Sequence, residues 1–192
     1  AEVRIFASAD PGEPRIHDEV RRVKARVTYT GPFGRGALRD IIPRLRDAAL
    51  AAPAMFDQLL ARALARGTDE SVSEFAQAGW IASVVRVESI VHIHAHFATS
   101  ASRIACLASR LSGVPFSLTA HAKDLFAQSV DRGVLADLLE RAAFVVAISE
   151  THRRFLLGAN PRARVEVVRN GIDLGRFLWN GARPRDFRPL RI

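Results

Sequence analysis

The sequence holds a single cysteine, Cys106, set in the apolar run Ile104-Ala105-Cys106-Leu107-Ala108. No internal disulfide can form, and a thiol among aliphatic neighbours is expected to pack rather than react. No run approaches the roughly 18 uncharged apolar residues that a membrane-spanning helix needs. No charged-then-apolar leader with a small-residue cleavage site opens the chain. A cytosolic protein is therefore expected. Zinc-finger spacing is missing, as is any interleaving of basic and aromatic residues, so nucleic acid is not an expected partner. Internal repeats and low-complexity tracts are missing too. Lysine is scarce: only Lys24 and Lys123 stand among 28 basic residues, so arginine carries almost all of the formal charge of +8. That balance suits phosphate-bearing or anionic-surface partners, although arginine richness also follows from a GC-rich genome.

What is present is the composition of one globular domain. The 192 residues are 48% hydrophobic and 25% charged, which excludes disorder as a class and allows a core of ordinary size. The chain has no initiator methionine and opens on Val3-Arg4-Ile5-Phe6-Ala7, which reads as a strand already under way; the natural chain is expected to start earlier. After a loop containing Pro11, Gly12 and Pro14, a short strand is expected over Arg26 to Thr30, closed by a turn-rich stretch from Gly31 to Gly36.

Apolar residues from Leu38 to Leu64 recur at helical spacing, with arginines on the other face. This predicts one helix broken, or two joined, at Pro53, with Pro43 alternatively in a first turn, where its missing N–H costs little. A second helix is expected from Glu70 to Val85. Then the pattern becomes regular: strand to about Ala95, helix Ser100 to Leu111, strand Pro115 to Ala120, helices across Leu125 to Arg141, strand Phe144 to Ile148, helix Glu150 to Leu157, strand Val165 to Val168. Short apolar strands alternating with helices imply parallel βαβ crossovers. The expected fold is α/β: a doubly wound, Rossmann-like parallel sheet with helices on both faces. A domain is expected over 1–180. The tail from Asn180 to Arg188 is rich in Arg, Pro and Gly, and Leu190-Arg191-Ile192 resumes like a strand, so 181–192 is expected to begin a linker to a second domain.

In open α/β sheets, ligands bind beyond the carboxyl ends of the strands, where loops and helix N-termini converge. Three places qualify. His92, His94 and His96 alternate, so their side chains would share one face of a strand; they either share a metal, or His92 and His94 pack and hydrogen-bond while His96 lies in the loop. Thr119-Ala120-His121-Ala122-Lys123-Asp124 runs from strand into helix. There a neutral imidazole can donate to a sugar hydroxyl or a phosphate, and a carboxylate can orient an acceptor or cap the helix; Lys123 is otherwise a solvated charge. Ser149, ahead of Glu150, has the character of an N-cap. Asn170-Gly171, in the run Arg169 to Asp173, is a common turn signal.

In order and spacing, these motifs resemble the family-four group of retaining glycosyltransferases with the GT-B fold, most closely bacterial members that act in polysaccharide assembly. The resemblance rests on His94-Ala95-His96-Phe97-Ala98-Thr99, Ser117-Leu118-Thr119-Ala120-His121-Ala122-Lys123-Asp124-Leu125, Ala147-Ile148-Ser149-Glu150, and Val168-Arg169-Asn170-Gly171-Ile172-Asp173 closing at Phe177. It covers about Ile90 to Phe177 well. It implies that the chain is the N-terminal, acceptor-side half of a two-domain enzyme that moves a sugar from a nucleotide-sugar to a saccharide or lipid-linked acceptor. His121 would be the catalytic residue reaching the transferred sugar, with His96, Lys123, Asp124 and Asn170 as substrate-binding residues. No metal or other cofactor is implied, the nucleotide-sugar being a substrate. The family's first strand with its glycine-containing loop has no counterpart ahead of Val3, and the donor-binding domain has none beyond Ile192, so this half alone is expected to be inactive. The basic helix between Arg39 and Arg66 is a candidate for peripheral contact with anionic headgroups.

Two rivals remain. A metal-dependent hydrolase built on the His-x-His strand predicts a (β/α)₈ barrel, but the chain is shorter than the roughly 250 residues typical of one. The other rival is a non-catalytic α/β binding module.

Overall fold

The computed structural model describes residues 2–10, 12, 18–31 and 38–176. The expected loop prolines 11 and 14, most of the turn after Gly31, Phe177, the boundary at 180 and the strand-like 190–192 lie outside the described residues. In chain order the elements are β1 (Arg4–Ala7), α1 (Asp18–Arg21), β2 (Arg26–Tyr29), α2 (Leu38–Ala51), α3 (Pro53–Arg66) and α4 (Asp69–Val87). They continue with β3 (Ile93–His96), α5 (Ser100–Ser112), β4 (Phe116–Ala120), α6 (Lys123–Phe126), α7 (Arg132–Arg141), β5 (Phe144–Ala147), α8 (Glu150–Ala159) and β6 (Val165–Val167). A single 3₁₀ turn follows at Leu174–Arg176.

The helix boundaries follow local chemistry. Pro53 disfavours the α conformation for the residue before it, and Ala52 sits at φ −145°, so two helices meet there, with Pro53 at the start of the second. Pro43, by contrast, lies inside α2 rather than in a first turn. Buried Ile41 and Ala48 hold that helix in place, and it approaches α4 so closely that a Cβ on Gly79 would lie 2.5 Å from Leu45 Cδ2. Gly67 at φ 67° and Gly113 at φ 77° end α3 and α5 in the left-handed conformation that glycine adopts without penalty. The side chains of Thr68, Asp131 and Ser149 cap α4, α7 and α8 by accepting hydrogen bonds from first-turn amides.

All strand pairings are parallel, and helices flank the strands as the alternation predicted. The strands, however, form two sheets: β1–β2, and a four-stranded sheet in the order β3-β4-β5-β6. Because that order is consecutive, right-handed crossovers place α5, α7 and α8 on one face. There Leu118, Ala120, Val145 and Ala147 are fully buried with Leu125, Leu138, Leu139 and Leu156. A second cluster joins α3, α4 and α5 through Leu59, Phe75, Ala78, Ile104 and Leu111, with Phe6 of β1 and Ile93 of β3 packed against it. The small sheet is fastened to this helical layer by an Arg4–Glu88 ion pair of 3.3 Å and by the Thr30 hydroxyl on Gln77 Oε1 at 3.0 Å.

Candidate functional site

The carboxyl ends of β3 and β4 converge on one set of contacts. β3 ends at His96, and Phe97 then takes φ 70°, a conformation uncommon for a bulky residue. Three hydrogen bonds hold this turn. The Phe97 amide donates to the Thr119 carbonyl (2.8 Å), the Ser102 hydroxyl donates to the Phe97 carbonyl (2.6 Å), and the Ala98 amide donates to Asp124 Oδ2 (2.6 Å). Phe97 is thereby presented to the His121 ring, 4.4 Å between centroids, while His96 stacks on the same imidazole at 5.8 Å. A strained, over-determined backbone at the end of a strand is characteristic of functional loops.

His121 stands just beyond β4. Its backbone amide donates to both oxygens of Asp124, at 3.0 and 3.1 Å, so the buried carboxylate ties the β3–α5 loop to the β4–α6 loop. The cap position of α6 is Ala122; Asp124 acts from within the first turn, not as the cap itself. His121 Nε2 is shielded from solvent and has no hydrogen-bond partner among the described residues. An imidazole nitrogen so placed is a ready donor or acceptor for a polar group entering the strand-end crevice.

The remaining candidates are placed differently. Lys123 is exposed, and its ammonium forms no ion pair among the described residues. Asn170 is exposed in the loop after β6, two strands away from β4, so the structure does not draw it into the His121 cluster. Ser149 caps α8 by accepting from the His152 amide at 3.2 Å. Its hydroxyl also meets His152 Nδ1 at 2.5 Å, while His152 Nε2 is shielded and unpartnered among the described residues and the ring abuts Phe126. Sequence reasoning missed His152; its signal was the Ser-x-x-His spacing, which sets the imidazole over its own cap.

The alternating histidines act as strand-to-strand ties. His92 precedes β3, which begins at Ile93, and Ser89 takes φ 53° in the turn after α4. His92 Nε2 and His94 Nδ1 both meet the Ser117 hydroxyl at 2.7 Å, and His94 Nε2 meets the Thr119 hydroxyl at 2.9 Å. Both ring nitrogens of His94 are thus occupied. Burial, with smaller contributions from the neighbouring His96 and His92, holds its pKa below the usual histidine value. Among the described residues no group of three His, Cys, Asp or Glu side chains is arranged to hold a metal ion. Cys106 is packed, and burial pushes its thiol up to about 11. No helix among the described residues is long and apolar enough to cross a membrane.

The profile described as Glycosyltransferase Family 4 matches residues 74–176, more than half of the chain. The chain belongs to that family. No curated protein sequence matches it. The matched segment runs from α4 to the 3₁₀ turn. The whole four-stranded sheet of this glycosyltransferase domain, with the loops bearing His96, His121, Asp124 and Asn170, therefore falls inside the family match.

Proposed function

We propose that this glycosyltransferase domain is the acceptor-side, N-terminal half of a GT-B enzyme. The enzyme transfers a sugar from a nucleoside diphosphate carrier to a saccharide or lipid-linked acceptor, with retention at the anomeric carbon. The observation that carries this reading is the unpartnered Nε2 of His121, held at the strand ends between Phe97 and the Asp124 tie. The His121 imidazole there hydrogen-bonds a hydroxyl of the sugar being transferred, and the aromatic face of Phe97 suits the apolar side of a pyranose. Asp124 is a positioning residue, its carboxylate being used on the amides of Ala98 and His121. His96 borders the acceptor, Lys123 offers an exposed cation at the crevice, and Asn170 contributes from the β6 loop.

Sugar transfer depends on orientation and on stabilising the diphosphate leaving group. The groups that hold that diphosphate belong in this reading to a donor-binding domain, and the 192-residue chain by itself does not turn over. No resident cofactor is invoked. Contact of the arginine-bearing helices α2 and α3 with a membrane surface would bring a lipid-linked acceptor to the crevice.

The test is transfer by the complete protein from a panel of nucleotide-sugars, beside this chain and a His121→Ala variant of the complete protein. Turnover that falls by roughly two orders of magnitude or more in the variant, the range of a lost transition-state contact, is expected. Undiminished turnover in the variant removes His121 from the site, and failure of the complete protein to bind any nucleotide-sugar overturns the reading.

A further inference from the structure

A cavity of about 320 Å³ is lined by residues of α3, α4, α5 and α7. None of its lining residues belongs to the loops that carry His96, His121 or Asn170. Its floor is apolar, formed by Leu59, Leu107 and Leu138 with the Cys106 thiol. Its walls carry guanidinium groups from three helices, and these fall into two kinds.

Two of the guanidiniums are already matched. Arg103 grips Glu74 through Nε at 2.9 Å and Nη2 at 2.6 Å and also reaches Glu70 at 2.6 Å. Arg141 donates to Asp137 at 2.8 Å. The other three, Arg62, Arg66 and Arg110, have no carboxylate partner among the described residues; Arg110 donates only to the side-chain oxygen of Gln58, at 2.9 Å. Burial and the nearby charges of Arg141 and Arg62 lower the pKa of Arg110 below the ordinary arginine value. Like charges gathered around a concave surface repel one another, and an anion placed among them removes that repulsion. Solvated arginines on a convex helix face would instead splay apart into water, each free of the others.

We propose that this cavity is a binding site for a phosphate group, supplied either by a soluble phosphate or by a phospholipid headgroup. Guanidinium forks fit phosphate oxygens in pairs, and several forks without carboxylate partners suit a group carrying more than one negative oxygen. The apolar floor accommodates a carbon substituent on that group, and the volume is at the lower end of the range for small-ligand sites. The site is separate from the His121 crevice; its Arg62 and Arg66 belong to the α3 surface named above for membrane contact, and phosphate binding there does not depend on the assignment of His121.

Thermal unfolding of the 192-residue chain in inorganic phosphate, against sodium chloride at equal ionic strength, tests the proposal. Cosedimentation with phosphatidylcholine vesicles, with and without phosphatidylglycerol, forms a second arm. A saturable upward shift of the melting temperature in phosphate is expected. It should persist in His121→Ala, and Arg62→Gln/Arg110→Gln should weaken the apparent affinity roughly tenfold or more. Arg62→Gln alone, at an exposed position without an ion pair, provides the second variant should the pair not fold. Vesicle binding that needs phosphatidylglycerol and is lost in the double variant identifies the headgroup as the source; a phosphate shift without vesicle binding identifies a soluble one. No effect in either arm, or an effect of equal size in the arginine variants, overturns the proposal.

Discussion

The two parallel sheets use the same ladder of hydrogen bonds and differ in what covers them. In β3–β6 the inner strand β4 is buried along its whole length, and Leu118 and Ala120 of β4 with Val145 and Ala147 of β5 have no measurable exposure. In β1–β2 no strand residue is fully buried, and Val27 and Tyr29 remain 42% and 44% exposed. Pairing alone leaves a two-stranded unit marginal. The difference teaches that the helices determine where stability and precise geometry reside, and that the candidate site stands on the covered sheet.

Leu118→Ala should show the contrast most strongly, at about 3–5 kcal/mol of lost stability because the residue is sealed under α5 and α7. Val27→Ala should stay within about 0.5 kcal/mol. Denaturant unfolding of both variants checks this, and equal losses would mean that the small sheet shares the main core. Asp124→Ala comes next. Removing the carboxylate leaves the Ala98 and His121 amides without acceptors in a half-buried setting, for a loss of about 2–3 kcal/mol with the strand-end loops loosened.

Thr30→Val removes the buried hydroxyl that binds β2 to Gln77 of α4. Its effect should be about 1 kcal/mol and local, so amide exchange should speed up in β1–β2 and stay unchanged in β4. The smallest effect is that of pH. The pKa of His94 in the folded chain lies below its ordinary 6.5, so the unfolded chain takes up the proton first as acid is added. The His94 contribution to stability is therefore complete above about 6.5 and declines as pH falls toward the folded value. A melting-temperature series from neutral to mildly acidic pH should show that decline in the native chain and a shallower one in His94→Gln.

Much of the matched half was legible because its signals are local. Ser149 could be read as a helix cap from its place between a strand and an acidic first turn, and strands such as Phe144–Ala147 are short apolar runs between helical stretches. The division into two sheets was not legible, since strand partners are chosen across the whole chain and β1 and β3 carry no mark of whether they pair. Nor was the position of Pro43 inside α2, where tertiary packing of Ile41 and Ala48 overrides a local penalty. At the candidate site, His121 and Asp124 could be named from the strand-to-helix step. That Asp124 uses its oxygens on the backbone amides of two loops depends on β3 and β4 lying side by side.

The sequence by itself determined the alternation of strands and helices, the helix ends, the packed cysteine and the motifs that place the chain among family-four glycosyltransferases. Those features depend on residues within a few positions of one another, where periodicity and backbone sterics act. Tertiary structure alone decided that His92 and His94 bond to Ser117 and Thr119, that Phe97 is turned onto His121, and that Arg62, Arg110 and Arg141 from three helices surround one cavity. Each of these is a meeting of residues distant in sequence, fixed by parallel register and by which face of each helix the core requires.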